Sequence, residues 1–286
     1  MKKLVISAIA MFLSIGVFAQ DDLLNELDAE VKDDSKVSSV FKSLKIVNLE
    51  STKMAAKGDF YFMISHRFGS VKTGFKDLFG LDDSNIRFSF IYGFNDWFTA
   101  GLSRSSIDKT FDLTSKIRLK AQEKEGSPIT VVAYGAMAYK TSDEVLNTLH
   151  YPLLEDKHRA NYLAQLLISR KMNDKLSLEV APIFLHENFT PYDSQSNDQF
   201  IAGFGGRYKL SKRLTLNMDY LAHMNRASEN MQKNPFSIGV DIETGGHVFQ
   251  LHFSNSQRMN DAGFINANGD WSDGDIFLGF NIYRVF

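Results

Sequence analysis

The sequence contains few groups of side chains that could carry out catalysis. His186 and Glu187 begin the H-E-x-x-H pattern of zinc peptidases, but Thr190 stands where the second histidine is needed. His252 and Ser254 lie two positions apart, where a base and a nucleophile of a membrane lipase would share one strand face. P-loop, nucleophile-elbow and dinucleotide-binding motifs are absent from the sequence. We therefore expect no enzyme, no catalytic residue and no cofactor, with a lipase as a minor alternative.

A second group is rich in oxygen atoms and lies close to the C-terminus. It comprises Asn266, Asn268, Asp270, Asp273 and Asp275. Hard cations such as Ca²⁺ bind oxygen ligands of this kind, but the spacing does not match an EF-hand loop. We interpret the stretch as a solvated turn and expect no metal site.

Charged side chains form a third and larger group. Between positions 111 and 122, Lys116, Arg118 and Lys120 alternate with Ile117 and Leu119. Successive side chains of a strand point to opposite faces, so the charged residues would share one face. In a closed barrel this face would line the lumen, and the same phase marks these candidate lumen residues: Arg67, Arg87, Lys116, Arg118, Lys120, Glu179, Arg207, Asp219, Asp241, Glu243 and Asp275.

Two interpretations of this charged face stay open. Charges of both signs around an open lumen would create a transverse field that guides polar solutes. Alternatively, the charges would neutralise one another in a filled interior that conducts nothing. Eight-stranded barrels are packed with side chains and sixteen-stranded barrels leave a channel, so a barrel of intermediate size does not decide the question.

The elements that position these residues follow from the same period of two. The alternation predicts strands at 59–68, 85–94, 97–104, 111–121, 129–140, 158–171, 175–187, 199–210, 213–223, 235–243, 247–256 and 275–286. The patterns at 97–104 and 158–171 are the least regular. Most of these segments are near ten residues long, which is the length that a tilted strand needs to cross a bilayer.

The connections between the strands select the architecture. Short polar turns such as 95–96 and 211–212 alternate with long links such as 69–84 and 257–274. Transmembrane barrels have short periplasmic turns and longer outer loops, whereas a soluble β-sandwich, the alternative, shows no such one-sided rule. We therefore predict an all-β transmembrane antiparallel barrel of about 12 strands, with both termini on the periplasmic side.

Composition and the N-terminus agree with an exported membrane barrel. The chain has 286 residues, no cysteine and a formal charge of −2, which exclude a disulfide scaffold and give no support for a nucleic-acid partner. Mean hydropathy of −0.20 does not suggest a helical membrane protein. Lys2 and Lys3, the apolar run 4–18 and Ala19 have the form of a cleaved signal peptide.

This pattern divides the chain into a signal peptide (1–19), a periplasmic N-terminal leader (20–57) and the outer-membrane barrel (58–286). Within the leader, 21–34 has the spacing of a short amphipathic helix or is a solvated segment without fixed structure. Residues 40–54 are predicted to be an extended segment leading to the first strand.

Four segments resemble one known family. They are GDFYFMISHRFG (58–69), LFGLDDSNIRFSF (78–90), IGVDIETGGHVFQLHFSNS (238–256) and GDIFLGFNIYRVF (274–286). They resemble the bacterial outer-membrane β-barrel family catalogued as domain of unknown function 5777, over roughly residues 40 to 286. The resemblance implies a barrel in the outer membrane and no substrate, reaction or catalytic residue.

These observations favour a passive channel or uptake pore for small polar solutes. The alternative is a non-conducting barrel that anchors or assembles with another protein through its outer loops or leader. The expected partners are outer-membrane lipid, the barrel-insertion machinery, for which Phe286 would be the C-terminal insertion signal, and an unidentified protein.

Overall fold

The structure is a computed structural model that describes residues 40–142, 155–190, 193–230, 232–244, 247–266 and 269–286. The predicted signal peptide and the first part of the leader, residues 20–39, lie outside the described residues. In the described part, twelve strands form the fold. They are β1 (Phe60–Ser70), β2 (Ser84–Asn95), β3 (Phe98–Ser105), β4 (Thr110–Lys120), β5 (Thr130–Lys140), β6 (Ala160–Lys171), β7 (Leu176–Glu187), β8 (Asp198–Lys209), β9 (Leu214–His223), β10 (Phe236–Thr244), β11 (His247–Ser254) and β12 (Phe277–Val285).

The strands close into one antiparallel barrel. Each strand pairs with its neighbours in sequence, and β1 closes the sheet by pairing with β12, with Ile64 opposite Ile282. All strand boundaries lie within two residues of those predicted from the alternation. The prediction of a 12-strand transmembrane barrel is therefore confirmed.

The outer face of the barrel is apolar. Phe111, Leu113, Ile117 and Leu119 alternate along β4 with buried or partly buried polar residues, and all four are exposed. Exposed apolar side chains in such numbers mark a surface that faces lipid rather than water. Trp97 and other exposed aromatic side chains lie near the turn between β2 and β3, as expected for an aromatic girdle at a membrane interface.

The irregular pattern of β6 has a simple cause. Leu163 and Leu167 are buried inside the barrel, whereas Leu166 is exposed on the outer face. Leucines therefore occur on both faces of the strand, and the inner face mixes them with the polar Gln165, so the alternation of apolar and polar residues is weak although the strand itself is regular. Part of the lumen wall is thus apolar, which the sequence analysis did not predict.

The two ends of the barrel differ in their connections. One end, called here the short-turn end, carries tight links such as 96–97 and 210–213, and the other, the long-loop end, carries links such as 188–197 and 255–276. The long loops contain α1 (Asp261–Ile265) and 3-10 turns at Val71–Gly80, Ile107–Lys109, Asp156–Arg159 and Trp271–Asp273. Among the described residues, no helix is long and apolar enough to cross a membrane.

Candidate functional site

The lumen is occupied by a segment that precedes the first strand. Residues 44–51, called here the lumen hairpin, fold back on themselves. The Ile46 N–H donates to the Leu49 carbonyl at 2.8 Å, and the Ser51 N–H donates to the Leu44 carbonyl at 3.0 Å. Lys45 pairs with Glu50 across the hairpin at 2.5 Å. The expected extended segment at 40–54 is thus a compact turn inside the barrel.

The hairpin reaches into the lumen from the short-turn end and leaves by the same end. Before it, Lys42 pairs with Glu243 near the end of β10, at 3.4 Å. After it, the Lys57 N–H donates to Asp96, in the turn between β2 and β3, at 3.3 Å. The tip lies at the far side of the lumen, because Asn48 donates to Ser254, the last residue of β11, at 3.1 Å.

Charged residues of the wall hold the tip. One carboxylate oxygen of Asp219 accepts the N–H groups of Val47, Asn48 and Leu49 at 3.1, 2.7 and 2.9 Å. Arg67 donates to the Asn48 side-chain carbonyl at 2.8 Å. The tip of the turn exposes N–H groups that the hairpin itself does not satisfy, and the wall supplies their acceptor.

Other wall residues hold the two arms of the hairpin. Lys116 donates to the carbonyls of Leu44 and Ser51 at 3.0 and 2.7 Å and pairs with Glu50 at 2.9 Å. Glu179 accepts the Thr52 N–H at 3.0 Å. Asp241 accepts the Ser43 hydroxyl at 3.0 Å.

One side of the hairpin is apolar and packs against an apolar part of the wall. Ile46, Leu49 and Met54 belong to one buried cluster, which also includes wall residues such as Leu167 and Ile183. Gly205 makes this packing feasible, since a Cβ atom there would collide with the end of the Ile46 side chain. This contact is a small hydrophobic core inside the barrel.

A loop from the opposite end completes the closure. Helix α1 lies in the link between β11 and β12, and its Ala262, Phe264 and Ile265 side chains are buried in the same cluster as the hairpin. Asn266, which follows it, donates to Glu187 at 2.8 Å. The lumen is therefore filled from both ends.

The two filling segments meet at one ion pair. Lys45 of the hairpin lies 2.9 Å from Asp261 at the start of α1, and the Tyr134 hydroxyl donates to the same carboxylate at 2.5 Å. Burial would raise the pKa of the Asp261 carboxyl, but Lys45 and Arg87 outweigh it and hold that pKa below its ordinary value.

Around this pair lies a balanced cluster of charges, called here the charged constriction. Its cations are Lys45, Arg87 and Lys116, and its anions are Glu50, Asp112 and Asp261. Arg87 pairs with Asp112 at 3.1 Å and donates to the Met259 carbonyl at 2.8 Å. Buried charges need such partners, because an unpaired one would cost several kcal/mol.

Cavities remain beside the two filling segments. An outer cavity of about 280 Å³ at the long-loop end is bordered by Gln257, Arg258 and Asn266. An inner cavity of about 170 Å³ at the short-turn end is bordered by Lys42 and Tyr283. Between them, a cavity of about 30 Å³ adjoins the charged constriction. The three cavities are separate, and the middle one has room only for a small group.

The structure places the predicted lumen residues in four settings. Arg67, Arg87, Lys116, Glu179, Asp219 and Asp241 are buried in the lumen. Arg207 and Glu243 are partly buried and pair with each other at 3.3 Å near the short-turn end. Arg118 is partly buried and Lys120 is exposed, toward the end of β4. Asp275 accepts a hydrogen bond from the Ser70 hydroxyl at the long-loop end.

Sequence reasoning missed the small hydroxyl residues of the wall and the whole hairpin. Ser89, Thr99 and Ser103 border the middle cavity, and the phase that marked Arg87 already placed Ser89 on the same face. The hairpin carried only a weak signal, since Lys45 and Glu50 flank its tip symmetrically in a mixed segment. Its position depends on long-range contacts that no local pattern contains.

The catalytic alternatives find no support in the geometry. Ser254 contacts Asn48 and Ser237, each at 3.1 Å, while among the described residues neither ring nitrogen of His252 has a hydrogen-bond partner. His186 binds Asp198 at 2.6 Å. The part of the chain that the structure describes contains no group of three His, Asp or Glu side chains arranged for a metal.

Comparison with known proteins agrees with the barrel. A family model described as a membrane bound beta barrel domain (DUF5777) matches residues 41–286. No curated protein matches the sequence. A solved KdgM porin in complex with disordered oligogalacturonate shares 8% identity, with a TM-score of 0.50 over 80% of this chain and 99% of that chain.

Two further solved structures are similar at a lower level. An outer membrane channel from Pseudomonas putida F1 shares 12% identity, with a TM-score of 0.47 over 82% of this chain and 97% of that chain. The Acinetobacter baumannii outer membrane protein Omp33 shares 7% identity, with a TM-score of 0.45 over 82% of this chain and 100% of that chain. At 8% identity, the likeness to the KdgM porin concerns the fold alone.

Proposed function

Because the chain belongs to the DUF5777 family of membrane-bound β-barrels, we propose that it is an outer-membrane channel for small polar solutes, in a closed conformation. The observation that carries the proposal is the row of three cavities, one at each end of the lumen and a small one between them beside the charged constriction. A barrel filled only to be rigid would not need cavities at both ends and beside buried charged groups.

The chemistry of the constriction favours polar solutes. Its side chains are Lys, Arg, Asp and Glu, and the hydroxyls of Ser89, Thr99 and Ser103 stand beside them. An apolar solute would displace hydrogen-bond partners of these groups and could form no hydrogen bonds in their place. Each group left unsatisfied would cost about 1–3 kcal/mol. A polar solute can exchange hydrogen bonds with them one after another.

The orientation follows from the rule for transmembrane barrels. Short turns face the periplasm and long loops face the outside, so the hairpin would enter from the periplasmic side and α1 from the outside. Solutes would reach the outer cavity first.

Conductance of the purified full-length protein in planar bilayers tests the proposal. Wild type should show brief, small conductance events. Asp261→Ala, which removes the link between the hairpin and α1, should open more often, while Asp174→Ala, an exposed change at the short-turn end, should match wild type. If wild type and Asp261→Ala are both folded barrels and both silent, the channel proposal is wrong and the anchoring alternative takes its place.

A further inference from the structure

The hairpin is attached to the barrel unevenly. Its apolar side, with Ile46 and Leu49, packs on the wall of β5 to β9. Its tip is held by Asp219 of β9 and, through Asn48, by Ser254 of β11. Withdrawing the hairpin would break all of these contacts at once and expose a hydrophobic cluster, so the hairpin is a poor moving part.

The opposite wall, made of β2, β3 and β4, holds the hairpin mainly through one long side chain, Lys116, which donates to the Leu44 and Ser51 carbonyls and pairs with Glu50. There the hairpin faces Ser89, Thr99 and Ser103 across the middle cavity. Its volume of about 30 Å³ exceeds the roughly 10–15 Å³ that one water molecule requires. Ser89 is 1% exposed, and its hydroxyl has no partner among the described residues. A buried hydroxyl that borders a polar cavity needs a ligand such as water or a passing solute.

Long side chains close the space between the hairpin and the wall of β2, β3 and β4. Lys116 crosses from β4 to Glu50 at 2.9 Å, and Lys45 reaches Asp261 at 2.9 Å. These side chains are buried and paired, but a side chain that changes rotamer breaks only its own few contacts, whereas withdrawal of the packed hairpin breaks all of the hairpin's contacts. A narrow passage that opens by side-chain motion needs no withdrawal of the hairpin.

We infer that solutes pass between the hairpin and the wall of β2, β3 and β4, while the hairpin stays docked on the opposite wall. Leu44 borders both the middle and the inner cavity, so at the short-turn end the passage turns around Leu44 to the inner cavity, which lies against β1 and β10 to β12. Toward the long-loop end, the contact of Arg87 with the Met259 carbonyl separates the middle from the outer cavity. The inference rests on the proposed function and adds the route and the residues that select the solute.

The charges along this route set its selectivity. Lys45, Arg87 and Lys116 stand against Glu50, Asp112 and Asp261, so the constriction has no net charge. Opposed charges across a narrow passage favour small dipolar or zwitterionic solutes over simple ions of either sign.

A disulfide lock tests whether the hairpin stays in place. The chain has no cysteine, so the only two cysteines would be those introduced by Asn48→Cys and Ser254→Cys. Asn48 Nδ2 lies 3.1 Å from Ser254 Oγ, and a disulfide between these positions would fix the tip of the hairpin to the wall. We expect locked protein to conduct as the reduced form does. Loss of conductance on oxidation, restored by reduction, would show that the hairpin must leave and would overturn the inference.

The matched control shares one cysteine with the lock. Ser237→Cys with Ser254→Cys joins two wall strands, at side chains 3.1 Å apart, and leaves the hairpin free. It should conduct equally in both redox states. If this control also loses conductance on oxidation, the cause is stiffening of the wall. A second lock, Thr52→Cys with Ser169→Cys, then tests the hairpin, because the hydroxyl oxygens of these residues lie 2.5 Å apart at the base of the hairpin. Conduction of the oxidised form supports the route, and loss of conduction overturns it.

Chemical modification after folding tests the route itself. Ser103→Cys should react with a small charged methanethiosulfonate in open channels, and its conductance should then fall at least several-fold. Leu102→Cys on the lipid face should show no change in conductance. A conducting channel whose Ser103→Cys is not blocked would place the route elsewhere, whereas silence of wild type and of Asp261→Ala would overturn the channel proposal together with the route.

Discussion

Lys45 Nζ lies 2.9 Å from Asp261 Oδ1, although the two residues belong to segments that reach the lumen from opposite ends of the barrel. One belongs to the hairpin before β1 and the other to α1 before β12. Both side chains are about 7% exposed, so neither charge can turn to solvent when the other is removed. This pair links the two closures of the lumen, in addition to the buried apolar cluster that the hairpin and α1 share.

The coupling can be measured by a double-mutant cycle. Lys45→Met and Asp261→Ala should each raise the open probability, because each removes the ion pair between the hairpin and α1 from the closed state, although Lys45 keeps Glu50 and Asp261 keeps Tyr134 as a partner. The double variant should open less than the sum of the two effects predicts. Single-channel recording gives the open probabilities, and strict additivity would show that the pair does not couple the closures.

Asp219 should be the main support of the hairpin tip. In Asp219→Ala the N–H groups of Val47, Asn48 and Leu49 lose their acceptor, each at about 1–3 kcal/mol if it stays buried. Hydrogen exchange at these three amides should become faster by orders of magnitude, with the barrel still folded. Asp193→Ala in an outer loop serves as the control; unchanged exchange in Asp219→Ala would contradict the role of the carboxylate.

Two neighbouring glycines provide a matched test of hairpin packing. Gly205→Val should push Ile46 from its position and cost about 1–3 kcal/mol, since even a Cβ atom there collides with that side chain. Gly206→Val is the control, because a Cβ atom at Gly206 meets only ordinary contacts, the nearest at 3.4 Å. Thermal unfolding in detergent measures both. Adding Ile46→Ala to Gly205→Val should recover part of the loss, and failure to do so would locate the strain elsewhere.

Ion selectivity should depend on Lys116 and not on Lys120. Lys116 is buried beside Glu50, so Lys116→Gln leaves the constriction with one excess negative charge and should shift the reversal potential in a salt gradient toward cation preference. Lys120 is exposed at the end of β4, and Lys120→Gln should have a smaller effect. Equal shifts in the two variants would mean that the constriction does not set selectivity.

The orientation of the barrel is testable on whole cells. In this cysteine-free chain, an impermeant thiol reagent should label Asp193→Cys in a long loop and should not label Lys212→Cys in a short turn. The two positions lie at opposite ends of the barrel, so the labelling of the two variants can be compared on one gel. The reverse labelling would place the long loops in the periplasm and turn the proposed direction of solute passage around.

Much of the barrel wall could be predicted from the local sequence pattern alone. Lys116 and Ile117 occupy opposite faces because successive strand residues alternate, and this rule needs no knowledge of distant residues. It gave the strands, the apolar exterior and the inward phase of Arg87 and Asp219. The rule failed to describe β6 fully, because that strand has leucines on both faces, such as Leu163 inside and Leu166 outside.

The contents of the lumen were decided by the tertiary structure. The sequence by itself determined a closed, membrane-facing barrel, because period-two alternation and alternating loop lengths are local properties of the chain. It did not determine that residues 44–51 and α1 fill that barrel, because their places are set by contacts across the lumen, such as Lys45 with Asp261 and Asp219 with the backbone of the hairpin tip. These contacts exist only after the barrel has closed around them, since closure brings together residues that are about 170 to 216 positions apart in the chain.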